Sequence, residues 1–484
     1  KIISSALYYD RPRIIYSMKR RNDEKKKYTK IQKNTILTAV LTAFITTFMG
    51  SALNLSIPAL GAEFQVSAQS VGWVVTVYML TCSALAVVFG KIADIYDRKI
   101  ILCTGILIFA AASAFSVFSR EMWVLLAFRF LQGVGASMIF STNLAILMAA
   151  FDADKRGRVL GYATCATYAG LSMGPVLGGI LNEQFGWRAV FLATAGVSAA
   201  AFLPAAFKIP GKSKSEKGRK AFEAFDLCGS LLFMVSISLF MYGLSSIKSR
   251  EAAPWILAAG ILGFLFFIKT ERKAENPVVN VKFFSKNLPY TLNNLAALLN
   301  YGATFAVTYL LSVYLQVIKG MSSQGAGIVL ITSAVMMAVF SPIFGRLSDR
   351  RSPFLLSAFG MGICTAALGM FTFLPQEASL YFILAALVIS GLGFSMFSSP
   401  NTNAVMSFVE AEDYSAASSA LSTMRSLGHT TSMAVVTLVT GIFVGEKSLT
   451  EAEPALLMRA LHICFFIFAF FCILGIFMAR KRKM

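Results

Sequence analysis

Between residues 414 and 444, Ser418, Ser422, Arg425, His429 and Ser432 recur every three or four positions, which puts them on one face of a helix. A polar face on an otherwise apolar helix must look inward when the helix sits in lipid. His429 is the group there that changes charge near neutral pH, with an ordinary pKa of about 6.5. It is therefore the natural proton-binding residue, with a neutral histidine hydrogen-bonded inside a bundle as the alternative. Arg425 is a fixed cation one turn earlier. Arg129 is a second embedded cation, and a lone guanidinium costs at least about 2.5 kcal/mol at a bilayer centre. It needs a partner or a wet cavity, and Gln132 and Ala136 share its face. Proton coupling or gating is the chemistry open to Arg129, Arg425 and His429. A structural anchor for backbone carbonyls is the other reading of Arg129. His462, alone among Phe and Ile, reads as structural, and no Asp or Glu falls in the interior of an apolar run.

Carboxylates stand instead at the ends of apolar runs, in a repeat. Gly90-Lys91-Ile92-Ala93-Asp94 and Gly345-Arg346-Leu347-Ser348-Asp349 both read Gly, basic, apolar, small, Asp, and Arg98 and Arg350 follow them. Their expected role is a charge latch that holds a gate shut and breaks when two halves rock; a solvated surface charge is the bland alternative. Gly170, Gly174 and Gly178 form a smooth face that lets helices approach closely, and Pro175 removes a backbone donor beside them. The seven cysteines lie in apolar segments without C-x-x-C or His spacing, so they read as small core residues and no metal site is expected.

These residues need long apolar helices to position them. The chain has 484 residues, 56% hydrophobic and 14% charged, with a mean hydropathy of +0.68. A soluble chain this apolar has nothing to cover its surface with, so the fold class is an all-α integral membrane protein. About fourteen runs reach the roughly 20 residues that a crossing needs. They lie near 35–58, 70–92, 100–119, 122–150, 158–182, 187–207, 226–246, 253–269, 289–317, 323–346, 353–374, 379–409, 414–444 and 456–479. The net charge of +20 does not point to nucleic acid. Lys and Arg lie between the runs, concentrated in alternate loops as the positive-inside rule requires. Those loops hold Arg98 and Lys99; Lys155, Arg156 and Arg158; Lys212 to Lys220; Arg272 and Lys273; and Arg346, Arg350 and Arg351. The N-terminal segment, with Lys19, Arg20 and Arg21, and the Arg480 to Lys483 tail are then cytoplasmic too. No signal peptide is read at the start, and Met18 opens what reads as a natural cytoplasmic N-terminus.

The repeat divides the chain. The expected organisation is a cytoplasmic segment 1–34, a six-helix bundle 35–207 and a basic loop with two inserted helices and linker 208–288. A second six-helix bundle 289–479 and a tail 480–484 follow. Repeated halves are a mark of transporter folds, with the substrate site between them.

The motifs resemble those of the major facilitator superfamily over nearly the whole chain. "GKIADIYDRK" is similar to its loop motif after span 2, with Asp97 where a Gly is usual. "RFLQGVGA", with Arg129, Gln132, Gly133, Gly135 and Ala136, is similar to the span 4 motif. "GLSMGPVLGG", with Gly170, Gly174, Pro175, Gly178 and Gly179, resembles the span 5 motif associated with antiporters, and Trp187-Arg188 fits the start of span 6. Fourteen spans, "NPVVNVKFF", "YLLSVYLQVIKGMSSQGAG" and "SALSTMRSLG" are similar to the fourteen-spanner drug:proton antiporters of the EmrB/QacA type. The resemblance implies alternating access and a cavity lined by spans 1, 4, 9 and 12. The polar residues available there are Asn54, Asn143, Asn293, Asn300, Tyr301 and Asn401. Met49 stands where that group usually has an Asp, which shifts the expected substrate towards neutral or anionic molecules.

Proton-coupled export of small amphipathic molecules across the plasma membrane is the leading expectation. The partners are the solute, protons and the bilayer, with no cofactor. Uptake symport of a metabolite and a non-transporting receptor stay open as alternatives. No G-x-S-x-G, H-E-x-x-H or nucleotide-binding loop points to an enzyme.

Overall fold

The structure, a computed structural model, describes residues 28–66, 68–211, 226–245, 251–274, 277–279, 281–444 and 453–479. The basic segment before Tyr28, the basic link 212–220 and the Arg480 to Lys483 tail lie outside them. Helices make up the fold, with no strand among the described residues. They begin with α1 (Lys30–Ser51), α2 (Ile57–Phe64), α3 (Ala68–Ile95), α4 (Arg98–Ser116), α5 (Met122–Ala150), α6 (Ala153–Phe185) and α7 (Trp187–Lys208). The inserted pair is α8 (Leu227–Ser245) and α9 (Ala253–Glu271). A short α10 (Val281–Lys286) precedes α11 (Leu288–Thr304), α12 (Val307–Val313), α13 (Ser323–Arg350), α14 (Pro353–Thr372), α15 (Leu380–Met406), α16 (Tyr414–Phe443) and α17 (Pro454–Met478).

Thirteen helices among the described residues are long and apolar enough to cross a membrane, α11 and α12 counting as one. The fourteenth expected span is α6, which has 33 residues. It is less apolar because its glycines and hydroxyl residues pack against α1 and α13 instead of facing lipid. Polar residues inside the bundle are kept by back-bonding. The hydroxyls of Thr42, Thr46 and Thr47 in α1 donate to carbonyls one turn earlier at 2.7–2.8 Å. That satisfies them without water. Asp97, the departure from the loop motif, caps α4, its carboxylate accepting from the Lys99 N–H at 2.8 Å.

The first six long helices pack around Phe48, Tyr78, Phe109, Trp187 and Phe191. The last six pack around Phe371, Phe394, Phe397, Phe465 and Phe468. The halves meet where α6 lies along α13 and where α3 and α5 lie along α16. Helix α8 touches both α3 and α16, so the inserted pair sits beside that second seam. The ninth span is not continuous: it breaks at Phe305 and Ala306 between α11 and α12. The backbone N–H of Ala306 donates to Ser432 Oγ of α16 at 3.1 Å. A hydroxyl of the polar stripe thus satisfies the break.

Candidate functional site

Two half-buried aspartates close two seams at one end of the bundle. Asp94, at the end of α3, reaches across to the start of α16. Its Oδ1 accepts from the Ser415 N–H at 3.0 Å and its Oδ2 from the Ala416 N–H at 2.7 Å. These are unpaired N–H groups of a helix first turn, where negative charge is favoured. Arg98 pairs with Asp94 at 2.6 Å. It crosses the seam too, donating to Ser415 Oγ at 2.9 Å and to the carbonyls of Ala411 and Glu412. Asp349, at the end of α13, reaches α6: Oδ1 accepts from the Gly157 N–H at 2.5 Å and Oδ2 from the Arg158 N–H at 3.0 Å. Behind each aspartate the helices touch through a glycine. A methyl group on Gly90 would overlap the Ser419 hydroxyl, and one on Gly345 would overlap the Gly157 carbonyl oxygen. Arg350 has contacts of its own.

Inward of the latches lies a small cavity, about 30 Å³, lined by Ala43, Phe140, Asn143, Leu144, Thr164, Thr167, Ser418, Ser422 and Arg425 among others. That holds about one or two water molecules, so a larger solute enters only when the halves separate. Arg425 bridges outward from it. Its Nη2 donates to Thr402 Oγ1 at 3.1 Å, and its guanidinium lies 5.3 Å from the Tyr301 ring centre. Tyr301 shares a 2.9 Å hydrogen bond with Ser398. His429 stacks on Phe305 at 4.1 Å and meets Tyr301 edge-on at 5.7 Å. The stripe on α16 thus gathers Arg425, His429, Tyr301 and the break in the ninth span into one cluster.

Other expected residues are placed elsewhere. Arg129 is fully buried within the first half, away from the cavity. Its Nε donates to the Val74 carbonyl at 2.7 Å and its Nη1 to Gln132 at 2.8 Å, and Gln132 donates to Ser113 at 2.6 Å. Its guanidinium lies over Tyr78, 4.4 Å from the ring centre. Asn143 lines the cavity and donates to the Ala39 carbonyl at 3.1 Å. Asn293, Asn300 and Asn401 are buried in the second half with their amide oxygens unpaired, and do not line that cavity. The side chains of Asn54 and Pro175 lie outside the described residues. Gly170 and Gly174 pack on Thr47 and Ser51 of α1, and Gly178 on Ala52 just after it, inside the first half. Gly179 follows them in α6. Met49 is fully buried, and its sulfur accepts from the Thr194 hydroxyl at 3.3 Å, so it fills core rather than cavity.

At the opposite end, Glu63 of α2 pairs with Arg188 at 2.7 Å and accepts from Trp187 Nε1 at 2.6 Å. The Arg188 hydrogen bond holds the Glu63 carboxyl below its ordinary range.

A Major Facilitator Superfamily model matches residues 39–433, and also residues 294–482. The chain belongs to the major facilitator superfamily. Among similar members, the riboflavin transporter RibZ of Clostridioides difficile (strain 630) is 30% identical over 385 residues, covering 79% of this chain and 83% of that protein. The multidrug resistance protein Stp of Mycobacterium tuberculosis (strain CDC 1551 / Oshkosh) is 27% identical over 436 residues, covering 87% of this chain and 78% of that one. The crystal structure of the human organic anion transporter MFSD10 (TETRAN) shares the fold, with a TM-score of 0.68 at 13% identity, over 93% of this chain and 99% of that one. This superfamily member is therefore a multi-pass membrane transport protein and not an enzyme. The sequence motifs pointed to the latches. They did not show Tyr301 as the partner of Arg425 and His429, or the helix break, which no Gly or Pro at 305–306 announces.

Proposed function

We propose that this chain is a proton-coupled exporter of small amphipathic molecules, of the fourteen-spanner EmrB/QacA type, working by alternating access. The latch end is the cytoplasmic one, on the strength of the loop charges, and both termini lie on that side. The observation that carries the reading is the pair of cross-seam latches over a small cavity lined in part by Ser418, Ser422 and Arg425 of the α16 stripe. Asp94 with Arg98, and Asp349, hold the inward gate shut; Gly90 and Gly345 let the helices close on it. A proton on His429 would place two cations one turn apart and push Arg425 off Tyr301 and Thr402, which changes the cavity wall. Asn143 and the Arg425–Tyr301 pair offer a solute hydrogen bonds, a positive charge and an aromatic face, which suits neutral or anionic molecules. The similarity to Stp, by its name, supports export. The similarity to RibZ favours a second reading, transport of a metabolite such as a vitamin.

Everted vesicles containing the protein test both. Proton release triggered by drug-like compounds, and lost in His429→Ala and Arg425→Ala at equal protein levels, is the expected result. Movement of riboflavin with no response to any drug-like compound would favour the second reading. No compound-dependent proton movement with folded protein present would overturn proton coupling.

A further inference from the structure

The foot of the inserted helix pair holds two acidic side chains that transport, as read above, does not use. Asp226 stands just before α8, its Oδ1 accepting from the Gly229 N–H at 2.7 Å. Glu271 ends α9 and is 2% exposed. Neither of its carboxylate oxygens has a hydrogen-bond partner among the described residues. The N–H groups of Val278 and Val279 point close enough to favour its charged form, at longer range than a full hydrogen bond. A methyl group built on Gly229 would sit 2.5 Å from Asp226 Oδ2 and 2.5 Å from Glu271 Oε1. The two carboxylates therefore approach the same point from two sides, at most about 5 Å apart.

Lys91 of α3, the basic residue of the first gate motif, is within electrostatic reach of Glu271. Lys269, Arg272 and Lys273 of the same segment are exposed to water, and α16 presents Leu427. Among the described residues, two carboxylates near one ammonium leave a negative charge over. Like charges this close, with Glu271 out of water, repel one another, and a proton held between them relieves the repulsion.

We propose that Asp226 and Glu271 form a proton-binding carboxylate pair whose occupancy sets how firmly the inserted helices hold Lys91 and the gate helix α3. Unprotonated, the pair pulls on Lys91 with two charges; protonated, with one. The grip is transmitted because α8 lies against both α3 and α16, the helices that the Asp94 latch joins. Phe233, Ile237 and Phe267 pack on Ala84 and Val87 of α3, and Trp73 stacks on Tyr242 at 5.4 Å. This site stands apart from the export reading, since it holds for any solute and any coupling ion.

Infrared spectroscopy of the purified, substrate-free protein in lipid nanodiscs tests it. A protonated-carboxyl C=O band is expected at neutral pH and should vanish in Glu271→Gln and in Asp226→Asn. Either variant carries the test if the other fails to fold, because the shared proton is lost with either partner. In Lys91→Met the band should persist at least about one pH unit further into alkali, as a favourable cation is gone. A wild-type protein with no such band, or a band unchanged in a folded Glu271→Gln or Asp226→Asn, overturns the proposal. An unchanged titration in Lys91→Met overturns the link to the gate. A band abolished by sodium at constant pH overturns the proton as occupant, in favour of a metal cation.

Discussion

The two seams are built to one plan and closed with different materials. In each, an aspartate at the end of one helix accepts two backbone N–H groups from a helix of the other half. The seam of α6 and α13 is closed by backbone: Asp349 meets Gly157 and Arg158, and Gly157 lies against Gly345. The seam of α3 and α16 adds side chains to the same backbone contacts: Arg98 joins Asp94 to Ser415, Ala411 and Glu412, and Gly90 lies against Ser419. A backbone contact is rigid and has no rotamer to change. A side-chain bridge is adjustable, and it is the seam that α8 also covers. The comparison suggests one fixed hinge-like seam and one regulated seam.

The largest expected effect is at the bridged latch. The side chains of Asp94 and Arg98 are 8% and 17% exposed. Breaking a fully buried ion pair costs about 3–5 kcal/mol, so Asp94→Ala, slightly wetter, should shift closure by about 2–3 kcal/mol. Asp349→Ala removes two hydrogen bonds to backbone N–H groups of α6 and should cost about 1–2 kcal/mol. Labelling of Ser422→Cys, in protein without its native cysteines, by a thiol reagent from the latch side reads the open population. Equal labelling in the two alanine variants would show that the Arg98 bridge adds nothing.

The glycines test the materials directly. Overpacking costs about 1–3 kcal/mol. Gly345→Ala meets a carbonyl oxygen and should open its seam with no side-chain suppressor. Gly90→Ala meets the Ser419 side chain, so Ser419→Gly should recover much of the closed population. Failure of that double variant to recover would mean that the neighbouring Ser415 carbonyl, not the hydroxyl, sets the approach at Gly90.

How much of this was legible in the sequence follows from what periodicity carries. Gly90–Asp94 and Gly345–Asp349 announced a repeated latch because type and spacing repeat. The Ser418-to-Ser432 stripe announced an inward face, and the cavity does lie against Ser418, Ser422 and Arg425. Periodicity names a face but not the helix that opposes it. Arg129 therefore read either as a coupling residue or as an anchor for backbone carbonyls, and its donors go to the Val74 carbonyl and to Gln132 in its own half. The Gly170 series read as a face for close helix approach, and the segment it meets is α1 and Ala52 of its own half. Glu271 fell past the expected end of its span at 269 and went unseen as a buried acid. Asp97 looked like a flaw in a motif and proves to be a helix cap.

The smallest effect belongs to the far end and serves as a control on the comparison. Glu63 and Arg188 tie α2 to α7 within the first half, so neither seam depends on them. The folded carboxyl lies below its ordinary range because of Arg188. The stability it adds is therefore fully present above the unfolded value, about 4.3. It is lost as pH falls through the lower, folded value. The pair is partly exposed, with side chains 36% and 40% accessible, so the contribution is under about 1 kcal/mol. Glu63→Gln should lower the melting temperature slightly at neutral pH and flatten its fall in acid, while leaving Ser422→Cys labelling at the wild-type rate. A change in labelling would mean that the far end and the seams move as one body, and the contrast between the two seams would then describe only half of the closing machinery.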